Sequence, residues 1–382
     1  MSTLYEAYRK EFPILRQYSQ LSSCSQSALH QEVKASVTEY MNSWEQSGMD
    51  WDMWMTACEE ARSQFAQLIN AEPCEIAIVS SVSHAVSAIA ASLKPQANRN
   101  EVLVTDFDFP TVGHVWLSHQ ERYQINYLGA KADGTISLQD YEKAISNQTL
   151  LVSTSHISYY NGFKQDLSEL SKIIHDNGSL LFVDAYQSAG QTPIDVKAMD
   201  IDMLSTGLQK YMLGIPGIAF LYIRKELAEA ITPSITGWFG QQNPFAFDIR
   251  NSTYADGARR FDSGTFPMIN GFAAKAALTI LLQLNMNEVE TYLHSLSEVA
   301  IQAANESGLS IKSPLDVSRK GSNTALFIPN AGQAEKRMKE LGHIVSARND
   351  VIRIAPHFYN SATEVKNAIY ALAEVHADLK VN

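Results

Sequence analysis

The chain has 382 residues, of which 45% are hydrophobic and 19% charged, and its formal charge is −11. That length suits a large domain with a smaller companion and supplies ample material for a buried core, while the composition excludes disordered, collagen-like and coiled-coil chains. A surface this acidic repels phosphate backbones and anionic lipid, which sets nucleic acid and membrane surfaces aside as partners.

Six apolar runs read as strands: EIAIVSS (75–81), VLVTDF (102–107), TLLVSTSHI (149–157), SLLFVDAY (179–186), DMLSTG (202–207) and IAFLYIR (218–224). Several are apolar at consecutive positions, the pattern of strands covered on both faces. Helical spacing separates them. HAVSAIAASL follows the first strand, and in DLSELSKIIHDNG the residues Leu167, Leu170, Ile173 and Ile174 share a face before Asn177-Gly178 ends the helix. Strand–helix–strand alternation predicts an α/β fold with a mostly parallel, doubly wound sheet. Beyond about residue 230 the segment TPSITGWFGQQNPFAFDIRNSTYADGARRFDSGTFP loses all periodicity, and an aperiodic loop of that length is usually functional. One long helix is predicted over 268–307. Strands TALFIP and VIRIAP follow, alternating with helices at 332–341 and 362–380, as in a smaller α+β domain.

Cys24, Cys58 and Cys74 are too few and too scattered for a disulfide framework or a thiolate zinc site. The ten histidines show no metal-binding spacing, and no phosphate-binding or hydrolase glycine motif is present. The opening MSTLYEAYRKEFPIL lacks a secretory apolar core, and no run approaches the ~18–20 apolar residues of a membrane span. The expected location is the cytoplasm, with no metal.

Two strand ends carry the chemistry. Asp184 closes an apolar strand where ligand crevices form in open α/β sheets, Gln187 follows it, and Lys210 closes the next strand after Ser205, Thr206 and Gln209. Either residue alone also fits a capping acid or a solvated lysine. Together they suit a Schiff-base cofactor, with the amine condensing on an aldehyde and the carboxylate keeping a pyridine nitrogen protonated.

The blocks SHISYYNGFKQDLSELSKIIHDNGSLLFVDAYQSAGQTPIDV, KYMLGIPGIAFLY, RFDSGT and VIRIAPHFYN stand in the order found in the class V aminotransferase family of pyridoxal-phosphate enzymes, fold type I, which the chain resembles from about residue 20 to 375. Its relatives include cysteine desulfurases, kynureninases and epimerase-like enzymes. The resemblance implies a large cofactor-binding domain (21–267) and a small domain (1–20 and 268–382). It implies Lys210 as the Schiff-base lysine of pyridoxal 5'-phosphate, Asp184 as partner of the pyridine nitrogen and Gln187 as donor to the phenolic oxygen. Ser83, at the start of the helix after the first strand, and Gln209 are implied phosphate contacts; family members often have His or Tyr at the latter position. Phe109 is the implied stacking aromatic. Tyr159 and Asn161 are implied to contact cofactor or substrate, and Arg353 the substrate α-carboxylate, which a guanidinium matches in bidentate fashion. Thr265 and Trp238 are implied to complete a neighbouring subunit's site, so a homodimer with shared active sites is expected.

The departures narrow the activity. Cysteine desulfurases use a mobile cysteine late in the chain, and no cysteine here lies beyond Cys74. Kynureninases usually carry His where Gln187 stands. The expectation is a pyridoxal-phosphate enzyme acting on a small amino acid by transamination or side-chain elimination, with a kynureninase-like hydrolase, an epimerase or a catalytically silent binding protein as alternatives.

Overall fold

Alternation inside the apolar runs decides the architecture. Ile76, Ile78, Leu103, Val152, Leu181, Val183, Leu204 and Phe220 turn into one core, while Ala77, Val79, Val102, Val104, Leu151, Phe182, Met203, Ala219 and Leu221 turn into a second. Successive side chains of a strand point to opposite faces, so runs apolar at every position require cover on both sides. The computed structural model describes residues 3–95 and 98–381. Its strands are β1 (Ser19–Gln20), β2 (Ile76–Val79), β3 (Glu101–Thr105), β4 (Gln124–Leu128), β5 (Thr149–Ser155), β6 (Leu180–Asp184), β7 (Met203–Gly207), β8 (Ala219–Ile223), β9 (Thr324–Phe327), β10 (His343–Ile344), β11 (Ser346–Arg348) and β12 (Val351–Ile354).

The central sheet has seven strands in the order β2-β8-β7-β6-β5-β3-β4. It is mostly parallel, as the sequence leads one to expect, but β8 runs antiparallel to both of its neighbours. Residues 208–218 between β7 and β8 contain no helix, and a chain that short cannot cross over to a parallel position. The edge strand β4 escapes the sequence reading because QINYL is partly exposed and polar at alternate positions. Helices Trp51–Leu68, Leu167–Asp176 and Met268–Leu282 cover one face of the sheet. Val82–Ser92 and Pro110–Ser118 cover the other.

The predicted helix over 268–307 is two helices, Met268–Leu282 and Met286–Glu306, the second capped by Asn285, whose side chain accepts the Asn287 N–H. Strands β11, β12 and β9 form a separate antiparallel sheet. The N-terminal segment joins that part of the molecule. Strand β1 pairs with β10, and Arg9 bridges Glu364 at 2.9 Å.

Because β2 and β7 both oppose β8, they run in the same direction as β3, β5 and β6. The segments that leave these strands therefore emerge along one edge. Beside β2 lies a structural anchor. Asp262, from the RFDSGT block, is fully buried; it accepts from Arg62 at 2.8 Å and from the Ile78 N–H at 2.7 Å. It ties the end of the aperiodic segment to β2 and to the helix Trp51–Leu68. Asp262→Ala would leave the buried Arg62 charge to the partly exposed Glu59, and loss of one partner of a buried pair costs up to about 3–5 kcal/mol. We expect a lower urea midpoint at unchanged denaturant slope, measured by circular dichroism.

Candidate active site

A cavity of about 220 Å3 opens along the carboxyl-end edge of the sheet. Each wall is the first turn or loop after a strand. Residues 81–83 follow β2, Phe109 and Thr111 follow β3, Ser155 ends β5 with Ile157 and Tyr159 after it, Asp184 ends β6 with Tyr186 and Gln187 after it, and Gln209 and Lys210 follow β7. In the β6 register Asp184 lies opposite Ser155 on one side and Ser205 on the other, so the acid and the lysine beyond β7 meet in one crevice.

The wall after β2 is the start of the helix Val82–Ser92. Ser81 caps it, its hydroxyl accepting the His84 N–H, and Ser83 Oγ shares a hydrogen bond with Thr111 Oγ1 at 3.1 Å. First-turn amides have no intrahelical partner and the helix dipole favours an anion there. Hydroxyls and amides together make a phosphate-shaped set of donors. Gln209 lies beside them, its backbone oxygen held by the N–H and hydroxyl of Ser27.

The Asp184 carboxylate is buried and accepts the Tyr186 N–H at 2.8 Å. Burial pushes its pKa up, against the pull of that N–H and of Lys210. Asp108, also buried, accepts from the Thr105 N–H and the Ser155 hydroxyl, and burial pushes it up to about 7, with Asp184 repelling a second charge. Lys210 keeps part of its side chain open to the cavity, yet desolvation lowers its amine to about 8; Asp184 opposes the shift, and Arg353 and Arg348 add to it. The amine sits 5.6 Å from the Phe109 ring centroid and 4.2 Å from that of Tyr186. Phe109 is no core residue. It is 37% exposed and meets Tyr159 edge to face at 5.2 Å. Gln187 Nε2 donates to the Cys24 carbonyl at 3.0 Å, which fixes the amide in the cavity wall.

Arg353, only 1% exposed, lies behind that wall. Its guanidinium donates to the Tyr159 carbonyl (2.7 Å) and to the hydroxyls of Ser25 and Ser346 (2.8 and 2.6 Å), and its Nε has no partner. Asn161 is not brought to the cavity. Its amide closes a turn, donating to the Gly134 carbonyl and accepting the Phe163 N–H. Thr265 is exposed and Trp238 packs on Trp51, Phe239 and Phe245, both away from the cavity of their own chain. Sequence reasoning missed Thr111, Asp108, Ser155 and Tyr186. Thr111 had a signal, a hydroxyl two residues past Phe109 at a helix start; Tyr186 was hidden inside an apolar strand.

The family model for aminotransferase class V matches residues 21–367. The chain belongs to that family. Its members are pyridoxal-phosphate enzymes, and the donor set of this cavity fits that cofactor: a helix start with hydroxyls, a buried acid and a desolvated amine. The chain is 41% identical over 98% of both chains to the uncharacterized aminotransferase YcbU of Bacillus subtilis (strain 168). It is 26% identical to the kynureninase of Pseudomonas fluorescens, over 88% of this chain and 81% of that one. The fold also matches a cysteine desulfurase of Thermococcus onnurineus NA1, with a TM-score of 0.87, 21% identity and 98% of each chain covered. Among the described residues no group of His, Cys, Asp or Glu is placed to hold a metal ion, and no helix is long and apolar enough to cross a membrane.

The lowered amine makes a pH prediction. A lysine reacts with electrophiles only when deprotonated, so in the cofactor-free chain its reactivity should rise through about pH 8 and level off above. Asp184→Asn removes an opposing negative charge and should move the midpoint lower; Arg353→Met removes a positive one and should move it higher. Peptide mapping after timed labelling at several pH values measures all three.

Proposed function

We propose that this chain is a pyridoxal-phosphate-dependent enzyme that acts on a small amino acid by transamination or side-chain elimination. The observation that carries the reading is the meeting of Lys210 and Asp184 in a cavity whose far wall is a hydroxyl-lined helix start. Ser81, Ser83, Thr111, Gln209 and the first helical amides would hold the phosphate, Asp184 the pyridine nitrogen, Gln187 the phenolic oxygen and Phe109 a ring face. When bound, the cofactor supplies an aldehyde for the lysine and a ring that draws electrons from a bond at the substrate α-carbon.

The protein's own part is to orient and to move a proton. Arg353 is buried and has no acid partner among the described residues, a state that favours an anion, and with Tyr159 it would orient the substrate α-carboxylate. Lys210, half deprotonated near pH 8, is suited to take the α-proton at Nζ and return it. A relay through Cys58 or Cys74 has no support. Burial pushes the Cys58 thiol up to about 12 and raises Cys74 as well. Purified protein should show a visible absorption band, lost in Lys210→Ala. Titration with a panel of amino acids, with products identified, separates a keto acid from elimination products or released alanine. A chain that never forms the band would be a silent binding protein. Asp184→Asn should keep the fold and lose most turnover; near wild-type turnover would refute the electron-drawing role of that acid.

The active form in this reading is a cytoplasmic homodimer with the large domain at 21–267 and the small domain at 1–20 and 268–382. Support for a second copy is the exposed apolar surface of Trp44, Met49, Phe245, Phe247 and Ile249, the last 95% exposed, on and beside the segment that carries Trp238. Thr265 of one chain would then lie near the phosphate held by Ser83 of the other. Mixing Lys210→Ala with Thr265→Ala chains and letting them exchange should restore part of the activity, since one site of each hybrid carries neither lesion. No recovery after verified exchange would mean that each site is built within one chain.

A further inference from the structure

Tyr186 is the cavity side chain that the family reading leaves without a task. It stands two residues past Asp184, and its ring centroid lies 4.2 Å from Lys210 Nζ, within the range of attraction between an ammonium and a ring face. The ring has a seat. A Cβ added at Gly207, the last residue of β7, would fall on Tyr186 Cζ and Oη. Gly207 is not among the glycines of positive φ, so its backbone conformation does not call for glycine; the space does. The atoms that a Cβ would strike are the far end of one side chain and no backbone atom, so a side chain at 207 would displace the ring and leave the sheet intact. Phe109 faces the same amine at 5.6 Å. The lysine amine thus lies over two aromatic rings, and the nearer one depends on a missing methyl group on the neighbouring strand.

We propose that Tyr186 is a positioning residue for Lys210 and that Gly207 is its counterpart: the glycine clears the seat, the ring fills it, and the ring face fixes the amine in the orientation in which it meets a carbonyl carbon. The inference rests on Lys210 being the amine that captures the cofactor aldehyde, a reaction in which nitrogen bonds to the aldehyde carbon and the carbonyl oxygen leaves as water with two protons from the amine.

The test uses the full chain freed of cofactor, with two readouts. One is the rate at which the visible band appears after pyridoxal phosphate is added. The other needs no cofactor: the rate of carbamylation of Lys210 by cyanate, followed by peptide mass spectrometry. Tyr186→Phe keeps the ring and should stay within about threefold of the wild type on both. Tyr186→Ala and Gly207→Ala should each change both rates by about tenfold or more. The double variant Gly207→Ala/Tyr186→Ala should match Tyr186→Ala alone, because with the ring gone the seat no longer matters. An equal effect of Gly207→Ala in both backgrounds, or wild-type rates in Tyr186→Ala, would overturn the pairing. Should Gly207→Ala fail to fold, the contrast between Tyr186→Phe and Tyr186→Ala decides. A wild-type chain that forms no band with added cofactor would sink the functional reading instead, and the cyanate rates would still judge the pair.

Discussion

Taking an amine and a carboxylate out of water into one crevice is the constraint on which this site depends. Each ion alone would cost several kcal/mol to desolvate, and burial drives both toward their neutral forms, the Lys210 amine downward and the Asp184 carboxyl upward. Their attraction offsets part of that cost, and the Tyr186 N–H offsets more on the acid's side. Arg353 and Arg348 push the other way, and the balance leaves the amine near pH 8. A lysine in water would be almost wholly protonated there. The same low-dielectric setting explains Asp108. Burial pushes the Asp108 carboxyl up to about 7, repulsion from Asp184 adds to the shift, and the Thr105 N–H and the Ser155 hydroxyl hold the group in place and oppose it.

The sheet makes that arrangement possible. Five of the six strands that run one way deliver side chains of different kinds to one edge: hydroxyls and free amides after β2, an aromatic after β3, a tyrosine after β5, an acid at the end of β6 and an amine after β7. Both faces of the sheet are occupied by helices, so the crevice at the strand ends is where a ligand can approach the backbone. The aperiodic segment after residue 230 takes no part in this wall within one chain. It is anchored through Asp262 to Arg62 and carries its aromatic residues to the surface.

Much of the site was readable as strand ends. Asp184 and Lys210 stand where apolar runs stop, and with Ser83, Phe109, Tyr159, Gln187 and Gln209 they line one cavity, although 127 positions of sequence separate Ser83 from Lys210. Tyr186 was not readable, because an aromatic at the end of an apolar run is normally core; only the bare backbone of Gly207 beside it lets the ring lie in the cavity. Asn161 stays out of the cavity for the converse reason. A polar residue next to a tyrosine in a loop looks like a ligand, but its amide is consumed by Gly134 and Phe163, a use that depends on where the turn folds back.

The sequence by itself determined which segments are covered on both faces, because a strand's period forces consecutive apolar residues into two cores. It also determined which chemical groups stand at the ends of those segments. Tertiary structure decided the direction of β8, the edge position of β4, the division of the 268–307 helix and the burial of Arg353 against the Tyr159 carbonyl and the Ser25 and Ser346 hydroxyls. These follow from pairings between segments far apart in the chain. Local periodicity records how a segment meets a core, and it carries no information about which distant segment forms the other side.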